Sequence, residues 1–587
     1  MKNLFDIIVI GGGHAGLEAC YIASRFNLKV GLITLKDVPV ASSPCNPSIG
    51  GVAKGHLVRE LDALGGLMPK LADLAGIQYR TLNESKGEAL YSTRVQIDKD
   101  LYSLKAKELL LKENISFIEE KLLNISYNHD LYELQTDSSS FFTKKLILTT
   151  GTFSKGLLHC GLLQEEGGRD SVEATSSLKN LLPFLSQLKT KRFKTGTPPR
   201  IKKSTIDYKF LVEQKSDFLV RNFHFNHSDE RLCQQVSCYL TYTNKKTADL
   251  VVQNKEKSPM FNGQITGIGP RYCPSLEDKI FRYPEKFSHH IFLEPEGFDS
   301  ESVYPSGLST SLPSDVQDKL IASIEGLENA EILKYGYAVE YDVIHSLDLT
   351  KTLEYKTQRG LYFAGQVNGT SGYEEAAVQG HVAGLNAALS CLGRESITFS
   401  RYDSYIGVLI EDLVSSSRDE PYRLFTSRSE NRLFLREDNV YFRLSSYRRK
   451  YLLKDELDSF LEKYMFLRTI LVSSVYFPFE DLRKEKNSID FLKIFFKKKN
   501  IQVPDLLISD LAITGKYEGY LKKQMDDIEK LKKLYEKKIF LENILKHPGV
   551  SFECKERIKK FEPKTFGDLR FIDNLRPSTL TAIASTI

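Results

Sequence analysis

The chain has 587 residues, of which 41% are hydrophobic and 27% charged; that length calls for several domains, and that balance is not that of a disordered or membrane-embedded protein. The longest uncharged apolar stretch, residues 469–479, is well short of the roughly 20 residues that span a bilayer and is expected to be core, while Asp6 and Gly11–Gly13 interrupt the run a secretion signal would need. The net charge of +5 is uneven, because residues 441–587 carry 30 basic and 21 acidic side chains against 51 and 55 in the first 440. An acidic partner for the C-terminal part, nucleic acid first among them, and a merely solvated helical surface are equal readings of that excess.

Phe5–Ile10 is a short apolar run of the kind that forms a strand buried on both faces, and Leu17–Arg25 and Lys29–Thr34 supply the helix and second strand of a βαβ unit. Between them Gly11-x-Gly13-x-x-Gly16 provides the tight turn, the close approach of a diphosphate and the close helix packing of a dinucleotide site. The acid expected at the end of the second strand is absent, since Thr34 stands there and Asp37 belongs to the loop beyond. Lys145–Thr152 and Gly360–Gln366 are two further buried-type strands ending in small residues, the second followed by a helix from Tyr373. Both resemble strands of the two-segment FAD domain of flavoprotein oxidoreductases, which encloses an inserted domain. Beyond residue 400 lysine-rich helical periodicity takes over. Leu521, Met525, Ile528, Leu531 and Tyr535 are expected as a core stripe that ends before Pro548-Gly549.

Eight cysteines without a C-x-x-C pair form neither a disulfide framework nor a zinc site, so reduced thiols in the cytoplasm are expected and no metal. Cys45 lies between Pro44 and Pro47, just before Gly50-Gly51. A rigid, partly exposed thiol and a small buried residue are both open there. The segment Gly50–His56 is not a P-loop, because His56 stands where the lysine is required. Cys273 lies in a second such segment, where Arg271 and Lys279 would favour thiolate; a turn capped by Ser275 or Asp278 is the plain alternative. Cys20, Cys160, Cys391 and Cys554 are expected to be inert, and Cys233 and Cys238 have no helpful setting.

Across these segments the sequence resembles the MnmG family, also called GidA, the FAD-dependent tRNA uridine 5-carboxymethylaminomethyl modification enzymes. The resemblance rests on Gly11–Ala19, Cys45–Gly51, Gly55–Glu60, Lys194–Arg200, the Cys273 segment, Phe292–Gly297 and Ala364–Ala377, and runs on through Glu420–Arg428 and Lys516–Tyr520. It implies an α/β fold: a two-segment Rossmann-type FAD domain at 1–152 and 351–398, an inserted α/β domain at 153–350, and a C-terminal α-helical domain at 399–587, shortened near 480–510, that meets tRNA and a partner.

By the same resemblance the chain forms a homodimer. With an MnmE-type GTPase it installs the (carboxymethyl)aminomethyl group on carbon 5 of the wobble uridine, using NADH, 5,10-methylenetetrahydrofolate and glycine or ammonium. Carried over by position, FAD contacts fall on Gly11, Gly12, Gly13, His14, Ala15, Gly16 and Gln366, with Leu122 and Thr175 as further candidates, and nicotinamide on the stretch holding Gly269, Arg271 and Tyr283. Cys273 would be the nucleophile and Cys45 its assistant, though the two roles could be exchanged. A folate- and FAD-dependent tRNA uracil-5-methyltransferase, a tRNA-binding scaffold that keeps FAD as structure, and a generic NAD(P)H dehydrogenase are the alternatives. The long helical tail and the two thiols weigh against the first two.

Overall fold

The structure, a computed structural model, describes residues 3–217, 220–227, 230–269, 274–416, 418–474, 476–572, 575 and 577–587. Strand Leu4–Ile10 lies between two parallel neighbours, Val30–Thr34 and Ser140–Leu148, and Val30–Thr34 pairs in turn with Ile115–Glu119. Ile7, Ile8 and Val9 are fully buried, which is why the sequence runs apolar there without alternation. Strand Ser140–Leu148 is shared: its first half pairs antiparallel with Leu131–Thr136, and Leu146–Leu148 takes Leu361–Phe363 as a parallel neighbour. The late segment thus completes the sheet that the first 150 residues begin.

It is fastened there by helix Tyr373–Cys391, which packs on helix His14–Ser24 along a line of small residues. A Cβ on Gly380 would lie 2.0 Å from the Ala15 carbonyl oxygen, and one on Gly384 would lie 2.4 Å from that of Ala19. Only glycine permits the two backbones to approach so closely.

Residues between the two segments build further sheets. A four-stranded antiparallel sheet orders Leu163–Glu166, Leu157–Cys160, Tyr337–Ile344 and Thr190–Thr197, and a six-stranded sheet includes Cys238–Tyr242, His290–Pro295, Ser302–Ser306 and Arg200–Lys202. The six-stranded sheet has its own core, with Ile201, Val251, Leu276, Ile291, Val303 and Leu320.

From Tyr405 onward the chain is helical. The main core that starts at Phe5 continues through Leu444, Leu461 and Leu511 to Ala512, so these helices share it with the first sheet. A fully buried ion pair pins the junction: Arg443 Nη1 meets Glu60 Oε1 at 2.9 Å, and Glu60 also accepts the amide hydrogens of Tyr405 and Ile406, each at 2.9 Å. Burial pushes the Glu60 carboxyl up, opposed by Arg443 and by those two amides. The last helices close over a separate small core of Ile544, Cys554, Ile558, Leu569 and Ile583.

Two expectations about this region need correction. Helix Glu518–Tyr535 forms, with Leu521 and Ile528 buried, but Met525 is half exposed, because only one narrow edge of the helix is covered. The stretch 469–479 is not core throughout: helix Glu456–Ser473 ends inside it, Phe477 is buried, and Ile470 and Tyr476 face solvent. No helix among the described residues is long and apolar enough to cross a membrane.

Candidate active site

The first strand ends at Ile10, and the chain turns through Gly11–Gly13 into helix His14–Ser24. Gly11 adopts φ +104°, and a Cβ there would lie 2.5 Å from the Thr149 carbonyl oxygen; a Cβ on Gly16 would lie 1.8 Å from that of Gly11. Nothing lies within 4 Å of where Gly13 would carry one, so the turn is closed on the protein side and open on the other. Among the described residues no side chain caps the helix start, which leaves first-turn amides available to an anion. Thr34 is buried at the end of its strand, where the fingerprint has its ribose-binding acid, and Asp37 stands exposed in the loop beyond.

His14 is buried and stacks on Tyr373, ring centroids 4.6 Å apart. Burial drives it down to about 4, so the imidazole is neutral near pH 7. Three segments meet the turn: Thr149 Oγ1 donates to the Gly11 carbonyl at 2.9 Å, the Ala41 amide donates to that of Gly12 at 2.7 Å, and Gly365 abuts Ala15. Three buried polar atoms on these elements or beside them, His14 Nε2, Ser43 Oγ and Thr175 Oγ1, have no hydrogen-bond partner among the described residues. Gln366 is half-buried in the turn Gly365–Asn368, and Leu122 is buried at the head of strand Leu122–Asn128. An exposed ion pair between Lys121 and Glu173, 2.7 Å, links the chain beside Leu122 to the chain beside Thr175.

Cys45 stands between this turn and the six-stranded sheet. Its amide donates to the Tyr373 hydroxyl at 2.7 Å, Lys99 Nζ donates to its carbonyl at 3.4 Å, and Arg200 Nη2 donates to the Pro44 carbonyl at 2.6 Å. The sulfur lies 3.2 Å from the Tyr304 hydroxyl, and the Arg200 guanidinium sits 4.7 Å above the Tyr304 ring. One carboxylate serves both cations: Glu296 Oε1 meets Lys99 at 2.5 Å and Arg200 Nε at 2.9 Å, and Ser302 donates to Oε2 at 2.7 Å. Burial would raise Glu296, but Arg200 and Lys99 hold it down at about 2.

Of the second thiol segment, Arg271 and Cys273 lie outside the described residues. Its near flank is anchored by Glu340, whose Oε1 accepts from the Thr266 and Gly267 amides at 3.0 and 2.6 Å. Burial would raise Glu340 too, but its bonds to His159 and to Gly267 keep it at about 2. Gly269 packs on Lys194, and Lys279 donates to the Gly307 carbonyl at 2.9 Å. Ser275 caps helix Leu276–Arg282 by accepting from the Asp278 amide, and Tyr283 is an exposed residue at the end of that helix.

The remaining thiols differ from Cys45. Cys20, Cys238 and Cys554 are buried, Cys160, Cys233 and Cys391 touch backbone carbonyls, and burial pushes Cys391 up to about 11. Lys54 is clamped by Glu374 at 3.0 Å and Glu375 at 2.6 Å, a structural pairing. Among the described residues no group of His, Cys, Asp and Glu could hold a metal ion. Lys99, Arg200, Glu296, Tyr304 and Tyr373 surround Cys45 without having been singled out from sequence, although Arg200 closes the Lys194–Arg200 block and Glu296 lies in Phe292–Gly297. Tyr373 likewise lies in Ala364–Ala377, and these three blocks are the signal the sequence offers.

Residues 6–395 match the family model described as glucose inhibited division protein A. The tRNA uridine 5-carboxymethylaminomethyl modification enzyme MnmG of Bdellovibrio bacteriovorus is 43% identical over 99% of this chain and 94% of its own length, and that of Mycoplasmopsis synoviae is 42% identical over 99% and 98%. The crystal form I structure of Aquifex aeolicus GidA superposes with a TM-score of 0.86 at 40% identity, covering the whole of both chains. A family model matched over most of the chain, full-length relatives above 40% identity and a solved structure with the same architecture agree, and the chain belongs to the GidA family.

Proposed function

We propose that this protein is an FAD- and folate-dependent tRNA-modifying enzyme that, with an MnmE-type GTPase, installs the (carboxymethyl)aminomethyl group on carbon 5 of the wobble uridine. The observation that carries the reading is the place of Cys45, held between the glycine turn and the charged edge of the second sheet. Full-length relatives named for this modification support the substrate class.

The open side of Gly13, the uncapped helix start and the unpartnered His14, Ser43 and Thr175 atoms fit a bound dinucleotide. FAD would therefore be held by the Gly11–Gly16 amides, with Gln366, Thr175 and Leu122 at its margins. When bound, it supplies two-electron redox chemistry, with NADH as reductant on the Gly269–Tyr283 side and methylenetetrahydrofolate as one-carbon donor. Carbon 5 of uracil is a poor nucleophile, and addition of the Cys273 thiolate to carbon 6 makes it an enolate that attacks a one-carbon electrophile. Cys45 takes the carbon 5 proton, which restores the double bond as Cys273 leaves. The segments 1–152 with 351–398, 153–350 and 399–587 are read as the FAD, nicotinamide-side and tRNA-binding domains of a cytoplasmic homodimer.

The test is mass spectrometry of nucleosides from bulk tRNA of cells lacking this gene, complemented with the intact chain, Cys45→Ser or Cys273→Ser. Loss of the aminomethyl-type uridines, restored only by the intact chain, is expected. An unchanged profile, or a missing methyluridine outside the wobble position, would overturn the proposal, the latter in favour of the methyltransferase reading.

A further inference from the structure

We infer that Tyr304 is a positioning residue for Cys45, donating its hydroxyl hydrogen to the sulfur as thiolate from beneath the Arg200 guanidinium. The inference rests on the reading of Cys45 as a working thiol. Tyr304 is 4% exposed on strand Ser302–Ser306, and its oxygen is 3.2 Å from the sulfur. The Arg200 guanidinium against the ring draws electron density from the phenol, which strengthens it as a donor.

Among the described residues, cations approach the loop that carries the sulfur from several elements. Lys99 from helix Lys99–Leu110 and Arg200 from strand Arg200–Lys202 both approach the Pro44–Cys45 backbone, and the one carboxylate between them is Glu296. From helix Tyr373–Cys391 the residue presented is Tyr373, whose hydroxyl accepts the Cys45 amide hydrogen. On the thiol's own loop, Arg169 donates to Ser42 at 2.8 Å. A thiol can donate to the tyrosine oxygen, but a thiolate can only accept. The bond to the charged form is the stronger of the two, so the contact favours ionisation. Cys45 is half-buried, as are Cys160, Cys233 and Cys391, but their sulfurs contact backbone carbonyls, whereas that of Cys45 faces a hydroxyl.

The experiment follows carbamidomethylation of Cys45 by iodoacetamide across pH in the full chain, read on the Cys45 peptide by mass spectrometry, for the wild type and Tyr304→Phe. Phenylalanine keeps the ring beneath Arg200 and removes only the donor. The wild-type midpoint should fall below the ordinary cysteine value of about 8.5. In Tyr304→Phe it should rise by about one unit, cutting the rate at neutral pH about tenfold and leaving the alkaline plateau unchanged. An unmoved midpoint, or a rate lowered by one factor at every pH, would overturn the inference. If Tyr304→Phe does not fold, a wild-type midpoint at or above the ordinary value overturns it alone. Full product formation by Cys45→Ser would instead sink the reading beneath it, a result that leaves the titration as measured.

Discussion

Arg443→Met tests the joint between the helical tail and the first sheet. In the wild type Arg443 is fully buried against Glu60, 2.9 Å away, and Glu60 accepts the amide hydrogens of Tyr405 and Ile406, which begin helix Tyr405–Ser415. Removing the cation leaves a carboxylate with no charge partner in a site closed to water, a change that typically costs about 3–5 kcal/mol. A second route bounds the figure. With Arg443 gone the buried Glu60 takes up a proton on folding, and at pH 7, against an ordinary glutamate value of about 4.3, this costs about 3.7 kcal/mol.

The cost has a definite pH dependence. A carboxyl raised in the folded state destabilises increasingly as pH climbs above its unfolded value, so the deficit should shrink as pH falls toward about 4.3. The assay is native-state hydrogen exchange on peptides covering Tyr405 and Ile406, because their amides report opening at this joint directly. At pH 7 the variant should lose protection there by several hundredfold, and by much less at pH 5. Protection within tenfold of the wild type at pH 7, or an equal loss at both pH values, would refute the argument.

Three other outcomes are expected. Gly16→Ala and Gly380→Ala place a Cβ 1.8 Å and 2.0 Å from backbone oxygens, so both should purify with flavin well below one per chain by absorbance; full occupancy would show that the turn can relax. Glu296→Gln should lower the thermal midpoint at pH 7, and since Glu296 is held at about 2, below its unfolded value, its contribution is complete above about pH 4.5 and fades toward pH 2. The gap to wild type should therefore close on acidification, and a gap constant with pH would contradict the pairing. Affinity for tRNA should fall steeply between 50 and 200 mM salt, given the 30 basic against 21 acidic side chains beyond residue 440; a flat response would remove the tail from the RNA-binding surface.

The parts of this molecule that were legible in sequence are those whose cause is local. Phe5–Ile10 reads as a doubly buried strand because its own side chains say so, and Gly11 and Gly16 are legible because a tight turn and a close backbone contact demand them, while Gly13 faces open space. The surroundings of Cys45 were not legible. Lys99, Arg200, Glu296, Tyr304 and Tyr373 come from five separate segments, and no spacing within one stretch reveals that they converge. The outward-facing Met525 and Ile470 mark a different limit: helical periodicity and an uncharged run identify apolar surface, but not whether any partner lies over it.

The shared strand Ser140–Leu148 has a consequence for how the protein is made. The upper half of that strand waits for Leu361–Phe363, and the first helix waits for Gly380 and Gly384. Roughly 210 residues separate Leu148 from its late neighbour, and at about 5–20 residues per second a ribosome needs roughly 10–40 s to bridge them. Throughout that interval the nascent chain presents an unpaired parallel edge and a bare apolar helix flank. The first sheet is therefore complete only after the return segment has emerged, and the early half should be more prone to aggregate during synthesis than its final stability would suggest.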